Sequence, residues 1–257
     1  KVGKTTFSYD ANVGVQKVTE KMDLMSPYEF VKYQAEFDPV YAERAFLVDG
    51  ITPEYYKDVK GINWQDKLFR DGLAQNHSLA INGGNTSTKF SISGNITDHQ
   101  GAIINSGFNR YQGRAYFNHN ANKKLSFNLQ VNYSKDKSYG DLASTNTSGT
   151  QPYASFLLYR VWGYRPLNTY GSTANLENEF LDEDGNDARF NPIIDYSNSV
   201  NDRSNENFNF NGNAWYKILP NLTLKIKGGL NSRTLEENSF YNSLTSRGSA
   251  LSTANTK

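Results

Sequence analysis

Apolar and polar residues alternate with a period of two along several stretches of this chain, and the polar side is too wet to be the inside of a soluble core. The run Phe7, Tyr9, Ala11, Val13, Val15 is interleaved with Ser8, Asp10, Asn12, Gly14 and Gln16. The pattern returns as Leu125, Phe127, Leu129, Val131, Tyr133 against Ser126, Asn128, Gln130, Asn132, Ser134. It returns again as Phe208, Phe210, Gly212, Ala214, Tyr216 against Asn207, Asn209, Asn211, Asn213, Trp215. Successive residues of a strand point to opposite faces, so each run has one apolar and one hydrated face. Alternation over roughly ten residues is the signature of a transmembrane β-strand, with its apolar face in lipid and its polar face toward a wet lumen.

Composition agrees with that reading. The mean hydropathy is -0.69, and no run approaches the roughly 20 apolar residues of a membrane helix. A barrel escapes such a scan because half of every strand faces water. Phe7, Phe90, Phe117 and Tyr216 fall at one end of their strands, and Tyr111, Tyr133 and Phe208 at the other. Two aromatic bands, one per membrane interface, are expected of a barrel. Cysteine is absent, so nothing depends on disulfides or on a thiolate-held metal. A net charge of +1 without a Lys/Arg cluster argues against a nucleic-acid partner.

The connections order the strands. A first strand from Lys4 to Val18 is followed by a long connection over 19–74. Strands Gln75–Gly83 and Thr88–Thr97 are joined by the tight turn Gly84-Asn85-Thr86-Ser87. A connection over 98–107 leads to a fourth strand carrying Tyr111, Gly113, Ala115 and Phe117. Asn120-Ala121-Asn122 turns into the fifth, and the longest excursion, 135–205, precedes the sixth. Leu219-Pro220-Asn221 turns into the seventh, with Leu222, Leu224, Ile226 and Leu230 on one face. Long and short connections alternate, as extracellular loops and periplasmic turns do in outer-membrane barrels. The expected fold is therefore all-β, a partial transmembrane antiparallel β-barrel, with 19–74, 98–107 and 135–205 as extracellular loops. Single-chain barrels close with an even number of strands from about eight upward. Seven are too few, so residues 1–257 are expected to be part of a larger, exported protein. Lys1 is not an initiator Met.

Two loops carry signals of their own. Ser26-Pro27-Tyr28-Glu29 has Ser at the N-cap, Pro at the first helical position and Glu at N3, which predicts a short aromatic-rich helix ending near Asp38-Pro39. The long loop contains Tyr159, Trp162, Tyr164 and Tyr170, the candidate contacts to solute or partner, because aromatic faces stack on sugars and anchor interfaces. The bland alternative is that they pack the loop's own core. Arg110, Gln112, Arg114, Asn128, Gln130, Asn132, Asn209, Asn211 and Asn213 are the candidate lumen-facing residues, meeting solute or water. Asp182, Asp184 and Asn186 place oxygen ligands at alternate positions, a weak calcium candidate. An EF-hand register puts Asp187 and Ile193 where Gly and Glu are needed. The three histidines fall in separate elements and no nucleophile or phosphate-loop motif is present, so neither an enzyme nor a bound cofactor is expected.

Three segments resemble the SusC/RagA group of TonB-dependent outer-membrane transporters. Asn63-Trp64-Gln65-Asp66-Lys67-Leu68-Phe69-Arg70 is similar to the family's DWQDEIFR run. The run from Gln75 to Gly84 resembles its Q-x-H-N-L-S-V-S-G-G strand, and Gly101 to Tyr111 its G-I-I-x-N-S-x-F-x-R hairpin. Order and spacing match as well. The resemblance implies a barrel of about 22 strands occluded by an N-terminal plug, in the bacterial outer membrane. It implies import of oligosaccharides or peptides, energy from TonB, a SusD-like lipoprotein lid, and a two-fold assembly of transporter–lipoprotein pairs. Plug, TonB-contacting segment and remaining strands lie outside these residues. The Asn63–Asp66 run itself is expected to pack, with Trp64 and Phe69 buried and Asp66 paired locally. The competing readings are a passive porin and a non-transporting barrel that displays its loops for adhesion or assembly.

Overall fold

Seven long strands pair in chain order, each antiparallel to the one before. The computed structural model describes residues 3–140, 157–169, 176–182 and 189–249. The strands are β1 (Gly3–Gln16), β2 (Gly72–Gly84), β3 (Thr88–Gln100), β4 (Gly107–Asn120), β5 (Leu125–Tyr139), β8 (Ser199–Leu219) and β9 (Leu222–Tyr241). A separate two-residue ladder of β6 (Leu181–Asp182) and β7 (Arg189–Phe190) lies within the long loop. The sheet order is β1-β2-β3-β4-β5-β8-β9. Antiparallel succession puts the three long connections at one end of the sheet and the three tight turns at the other.

Two of those turns are closed by asparagine. Asn85 Oδ1 accepts from the amides of Ser87 and Thr88 at 2.9 and 2.8 Å, and Asn122 Oδ1 accepts from Lys124 and Leu125 at 2.8 and 2.9 Å. Such side-chain turns let the chain reverse with its amides satisfied. Gly84 enters the first with φ +145°, where an added Cβ would meet the Thr88 carbonyl at 2.2 Å. Only glycine fits there.

The strands at the loop end run further than the alternation alone indicates. β5 continues to Tyr139 and β8 begins at Ser199, through residues that read as loop. Their charges are neutralised across the ladder, Lys137 Nζ meeting Asp202 Oδ2 at 2.7 Å and Lys135 reaching Glu206 at 3.8 Å.

No buried apolar side chain belongs to the seven long strands; all of them lie in the loops. The first loop folds as α1 (Pro27–Phe37), α2 (Pro39–Ala45) and α3 (Trp64–Leu68), with 3-10 turns at Val48–Gly50 and Pro53–Lys57. The expected capping box is present: Ser26 Oγ accepts from the Glu29 amide at 3.3 Å, and the Ser26 amide donates to Glu29 Oε2 at 2.8 Å. Asp38 then caps α2, accepting from Tyr41 N at 3.0 Å. The long loop contributes α4 (Leu157–Trp162) and α5 (Pro192–Ser197). One core joins Val31, Ala45, Phe46 and Tyr56 to Leu167. A second joins Ile62, Trp64 and Leu68 to Leu157, Val161, Tyr164, Leu176 and Tyr196.

The sheet keeps its apolar face bare. Phe7, Leu79, Ile92, Ile226 and Leu230 are all more than half exposed. The face is a band, and the band is oblique to the register. Phe7, Ile81, Ile92, Ala115, Val131, Phe210 and Leu230 form one cross-strand row. In β1 that row is the turn-side edge of the band, which continues to Val15; in β9 it is the loop-side edge of a band that starts at Leu222. The band thus drifts by about eight residues over six strand steps. At ~3.3 Å per residue and ~4.8 Å per strand, the strands incline by about 40° to the band. On β5 the band runs from Leu125 to Tyr133, which at that tilt is about 20 Å tall. Transmembrane barrels have strands tilted about 35–45° and an apolar belt about 25 Å tall.

Candidate functional site

The opposite face is predominantly polar. Pairing places Arg110, Gln112, Arg114, Asn128, Gln130, Asn132, Asn209, Asn211 and Asn213 all on it, in consecutive rows: Arg114–Asn132–Asn209, Gln130–Asn211 and Asn128–Asn213. Neighbouring side chains bond from strand to strand along the rows. Arg110 Nε donates to Asp136 Oδ1 at 2.7 Å, and Asn205 Nδ2 donates to Asp136 Oδ2 at 3.3 Å. Further along, Thr97 Oγ1 donates to Asn76 at 2.5 Å and Asn95 to Ser78 at 2.7 Å. Such a face holds water or polar solute and gives lipid nothing to pack on.

Where this face reaches the loops it opens a cavity of about 700 Å³, lined among others by Gln16, His99, Tyr139, Asn201, Arg203 and Glu237. Its floor is the 101–106 connection. Arg70 holds that connection down: its amide donates to Ala102 O at 2.8 Å, its Nε to Gly101 O at 3.1 Å and its Nη2 to Ser106 O at 3.0 Å. Ile104 N returns a bond to Leu68 O at 3.0 Å. Two of the three segments that carry the family resemblance, 63–70 and 101–111, are therefore bonded to each other at the loop end of β2–β4.

The loop aromatics divide. Tyr164 is buried edge-on to Trp64, with centroids 5.0 Å apart; it is part of the loop core rather than a surface for solute. Trp162 is half-buried and donates to Gln65 Oε1 at 3.2 Å. Tyr159 packs edge-on to Trp162 and stays 47% exposed. Tyr170, Asp184 and Asn186 lie outside the described residues, and of Asp182 only the backbone is described, in β6. Among the described residues no group of three His, Cys, Asp or Glu could hold a metal ion.

The packing expected of the Asn63–Asp66 run is present for Trp64, which is buried and donates to Arg165 O at 2.8 Å. Phe69 is only half-buried. Asp66 does not pair locally: its partner is Lys21, 45 residues earlier, at 2.5 Å, because α3 packs back against the strand-exit segment after β1. The residue that sequence reasoning passed over is Gln65. It is 1% exposed and exchanges two bonds with the Met22 backbone, at 2.9 and 2.8 Å, while accepting from Trp162. A buried amide bonded to backbone on one side and to an indole on the other fixes three segments at once. Its only sequence signal was its place between Trp64 and Asp66 on a short helix.

No protein-family model matches the chain. TonB-dependent receptor P3 of Formosa agariphila is 23% identical over 238 residues, 92% of this chain and 22% of that protein. TonB-dependent receptor SusC of Bacteroides thetaiotaomicron is 26% identical over 106 residues, 41% of this chain and 10% of that protein. Among solved structures, the RagAB peptide importer in its closed-closed state superposes with a TM-score of 0.65 over 93% of this chain and 29% of that one, at 16% identity. Its open-open state gives 0.64 at 17% identity. The chain is SusC/RagA-like. It spans about a fifth of the length of the first curated relative and under a third of the solved chains. The SusC/RagA-like wall thus has the fold of a transporter barrel over nearly all of its length, and the oblique apolar band is the physical reason such a sheet needs no core of its own.

Proposed function

We propose that this chain is part of the wall of a bacterial outer-membrane importer for oligosaccharides or peptides, working with a SusD-like surface lipoprotein and energised through TonB. The observation that carries the reading is the oblique apolar band, whose tilt and height suit a lipid-embedded barrel. The names of the relatives, TonB-dependent receptors and a peptide importer, support import over a passive pore. In this reading solute is held among the loops above the cavity at the loop end of the polar face. Movement of a plug along that face then opens the route inward. Tyr159 and Trp162 are the contact residues, Tyr164 positions them, and pairs of transporter and lipoprotein assemble two-fold. The reading assigns the wall no catalytic step and no cofactor.

The test is to purify the intact protein in mild detergent from its native membrane and identify by mass spectrometry what accompanies it. A stoichiometric surface lipoprotein and a trapped oligomer are expected, and the oligomer names the substrate class. A solitary barrel with neither would overturn the importer in favour of a porin or a display scaffold.

A further inference from the structure

Basic residues are not evenly shared between the two faces of the sheet. On the apolar side both lysines of β5 are met across the ladder, Lys135 by Glu206 and Lys137 by Asp202. On the polar side two arginines are likewise neutralised, Arg110 by Asp136 and Arg203 by Glu237 at 2.7 and 3.2 Å. Register then puts Lys89, Arg114, Lys217, Lys225, Lys227 and Arg233 on that same polar face. None of them has an ion-pair partner among the described residues. The other carboxylate of the face is Asp10, on the far strand β1. A chain of net charge +1 thus gathers an excess of unpaired cations on one side of one sheet.

Their heights matter as much as their number. With the strands inclined by about 40°, Arg233 lies just above the loop-side edge of the apolar band, Arg114 and Lys227 lie within it, and Lys217 and Lys89 lie at its turn-side edge. The cations form a descending series along the direction in which solute would travel. Hydration alone does not require them, since the run Asn205, Asn207, Asn209, Asn211, Asn213 on β8 keeps the same face wet without charge. Lys225 Nζ also sits 5.9 Å over the Trp215 ring, placing an ammonium beside an aromatic plane, a pairing that suits a ring or chain bearing an acid group.

We propose, resting on the import reading above, that this wall is a track for anionic cargo: an oligomer carrying carboxylate or sulfate groups. Cations lining a low-dielectric passage concentrate anions and repel cations, as basic residues do in anion-selective pores. An acidic glycan and an acidic peptide share the chemistry, and the test separates them.

The test uses the full-length transporter, purified, with binding followed by isothermal titration. The probes are hexagalacturonate and hexaglutamate, with maltohexaose and hexaglutamine as neutral matches. At low salt one or both acidic probes should bind at least about tenfold tighter than its match, and added salt should erode the difference. The variant Arg114→Gln/Lys225→Gln/Lys227→Gln should lose about tenfold in that binding, while Arg114→Lys/Lys225→Arg/Lys227→Arg should stay within about twofold of the parent. Which acidic probe binds decides between glycan and peptide. Equal binding of acidic and neutral probes, no binding of any, or a neutralised variant that binds as well as the parent overturns the proposal. A neutralised variant that melts lower without a change in binding also overturns it, by showing that the cations meet an acidic surface of the protein itself. Uptake by cells is scored separately: binding without uptake refutes import and leaves the anionic track standing, whereas uptake confined to neutral oligomers does the reverse.

Discussion

Replacing Trp64 by alanine should detach the long loop from the first loop and leave the barrel wall as it was. Trp64 is 2% exposed, meets Tyr164 edge-on at 5.0 Å and donates to Arg165 O at 2.8 Å. Truncating a buried tryptophan costs about 3–5 kcal/mol, and the Arg165 carbonyl is left without its donor, about 1 kcal/mol or more. No wall strand contributes to that core, so the cost falls on the loop–loop contact. Local opening of that contact should rise by about three to four orders of magnitude, since about 1.4 kcal/mol is tenfold. Hydrogen exchange of the intact protein in detergent reads this directly. Peptides over 157–169 and the Ile62 amide, which donates to Pro166 O at 2.8 Å, should lose protection, while peptides over Leu125–Tyr133 keep theirs. Trp64→Phe should fall between the two. If the long loop keeps its protection, the loops are held by something other than this core. If β5 loses protection in parallel, loops and wall are one cooperative unit and the separation argued here is wrong.

Arginine in place of Leu129, in the middle of the apolar band, should destabilise the protein in lipid by about 2–4 kcal/mol, whereas Gln130→Arg on the other face should cost less than about 0.5 kcal/mol; reversible urea unfolding in vesicles, with equal losses for both, would contradict the assignment of faces. Tyr56→Phe removes the donor to Phe46 O, a 2.6 Å bond inside the helical part of the first loop, and should cost that loop about 1–3 kcal/mol by leaving a buried carbonyl unpaired. Burial also pushes the Tyr56 phenol above its ordinary 10.0, so its contribution is complete below pH 10 and is lost as pH rises through the higher folded value; the difference in ultraviolet titration between parent and Tyr56→Phe should show the late phenol, and its absence would refute the burial. The Ser26 amide and hydroxyl hold the Glu29 carboxyl below its ordinary 4.5, so the capping box helps α1 above that pH and stops helping as pH falls through the folded value. Protection of the Glu29 and Phe30 amides, corrected for intrinsic exchange, should therefore decline below pH 4.5, and Ser26→Ala should abolish the decline.

The wall was legible in the sequence because a lipid-facing strand has to alternate. Leu125 to Tyr133 states both faces and the span in nine consecutive letters. The capping box at Ser26 and the asparagine turns at Asn85 and Asn122 were equally local, since each is settled within four residues. The loop end of β5 and β8 was not legible, because Lys135, Lys137, Asp202 and Glu206 resemble a solvated loop until their partners are known. Nor was the loop core, whose Trp64 and Tyr164 stand a hundred residues apart, nor the role of Gln65, which depends on Met22 and Trp162 arriving from two other segments. The aromatic segment at 157–164 read as one surface, but packing splits it into a buried Tyr164 and an exposed Tyr159.

The cationic track escaped sequence reading for a geometric reason. A basic cluster is sought as neighbours along the chain, yet Arg114, Lys217, Lys227 and Arg233 are spread over three strands. Alternation hides them further, by interleaving each with a lipid-facing residue such as Ala115, Ile218 or Ile226. Once the strands are in register, two directions organise the sheet. Across the strands, hydrogen-bonded rows put like faces together; along the tilt, rows are sheared so that one depth in the membrane collects residues from different rows. Leu230 and Phe7 share a row but sit at opposite edges of the band, and Arg233 and Asp10 likewise share the face but not the height. Charges on the wall of a tilted barrel must therefore be compared at equal depth, not along equal rows. By that comparison Asp10, the one acid on the polar face without an ion-pair partner among the described residues, offsets the cations at one level and leaves the series from Arg233 down to Lys217 positive.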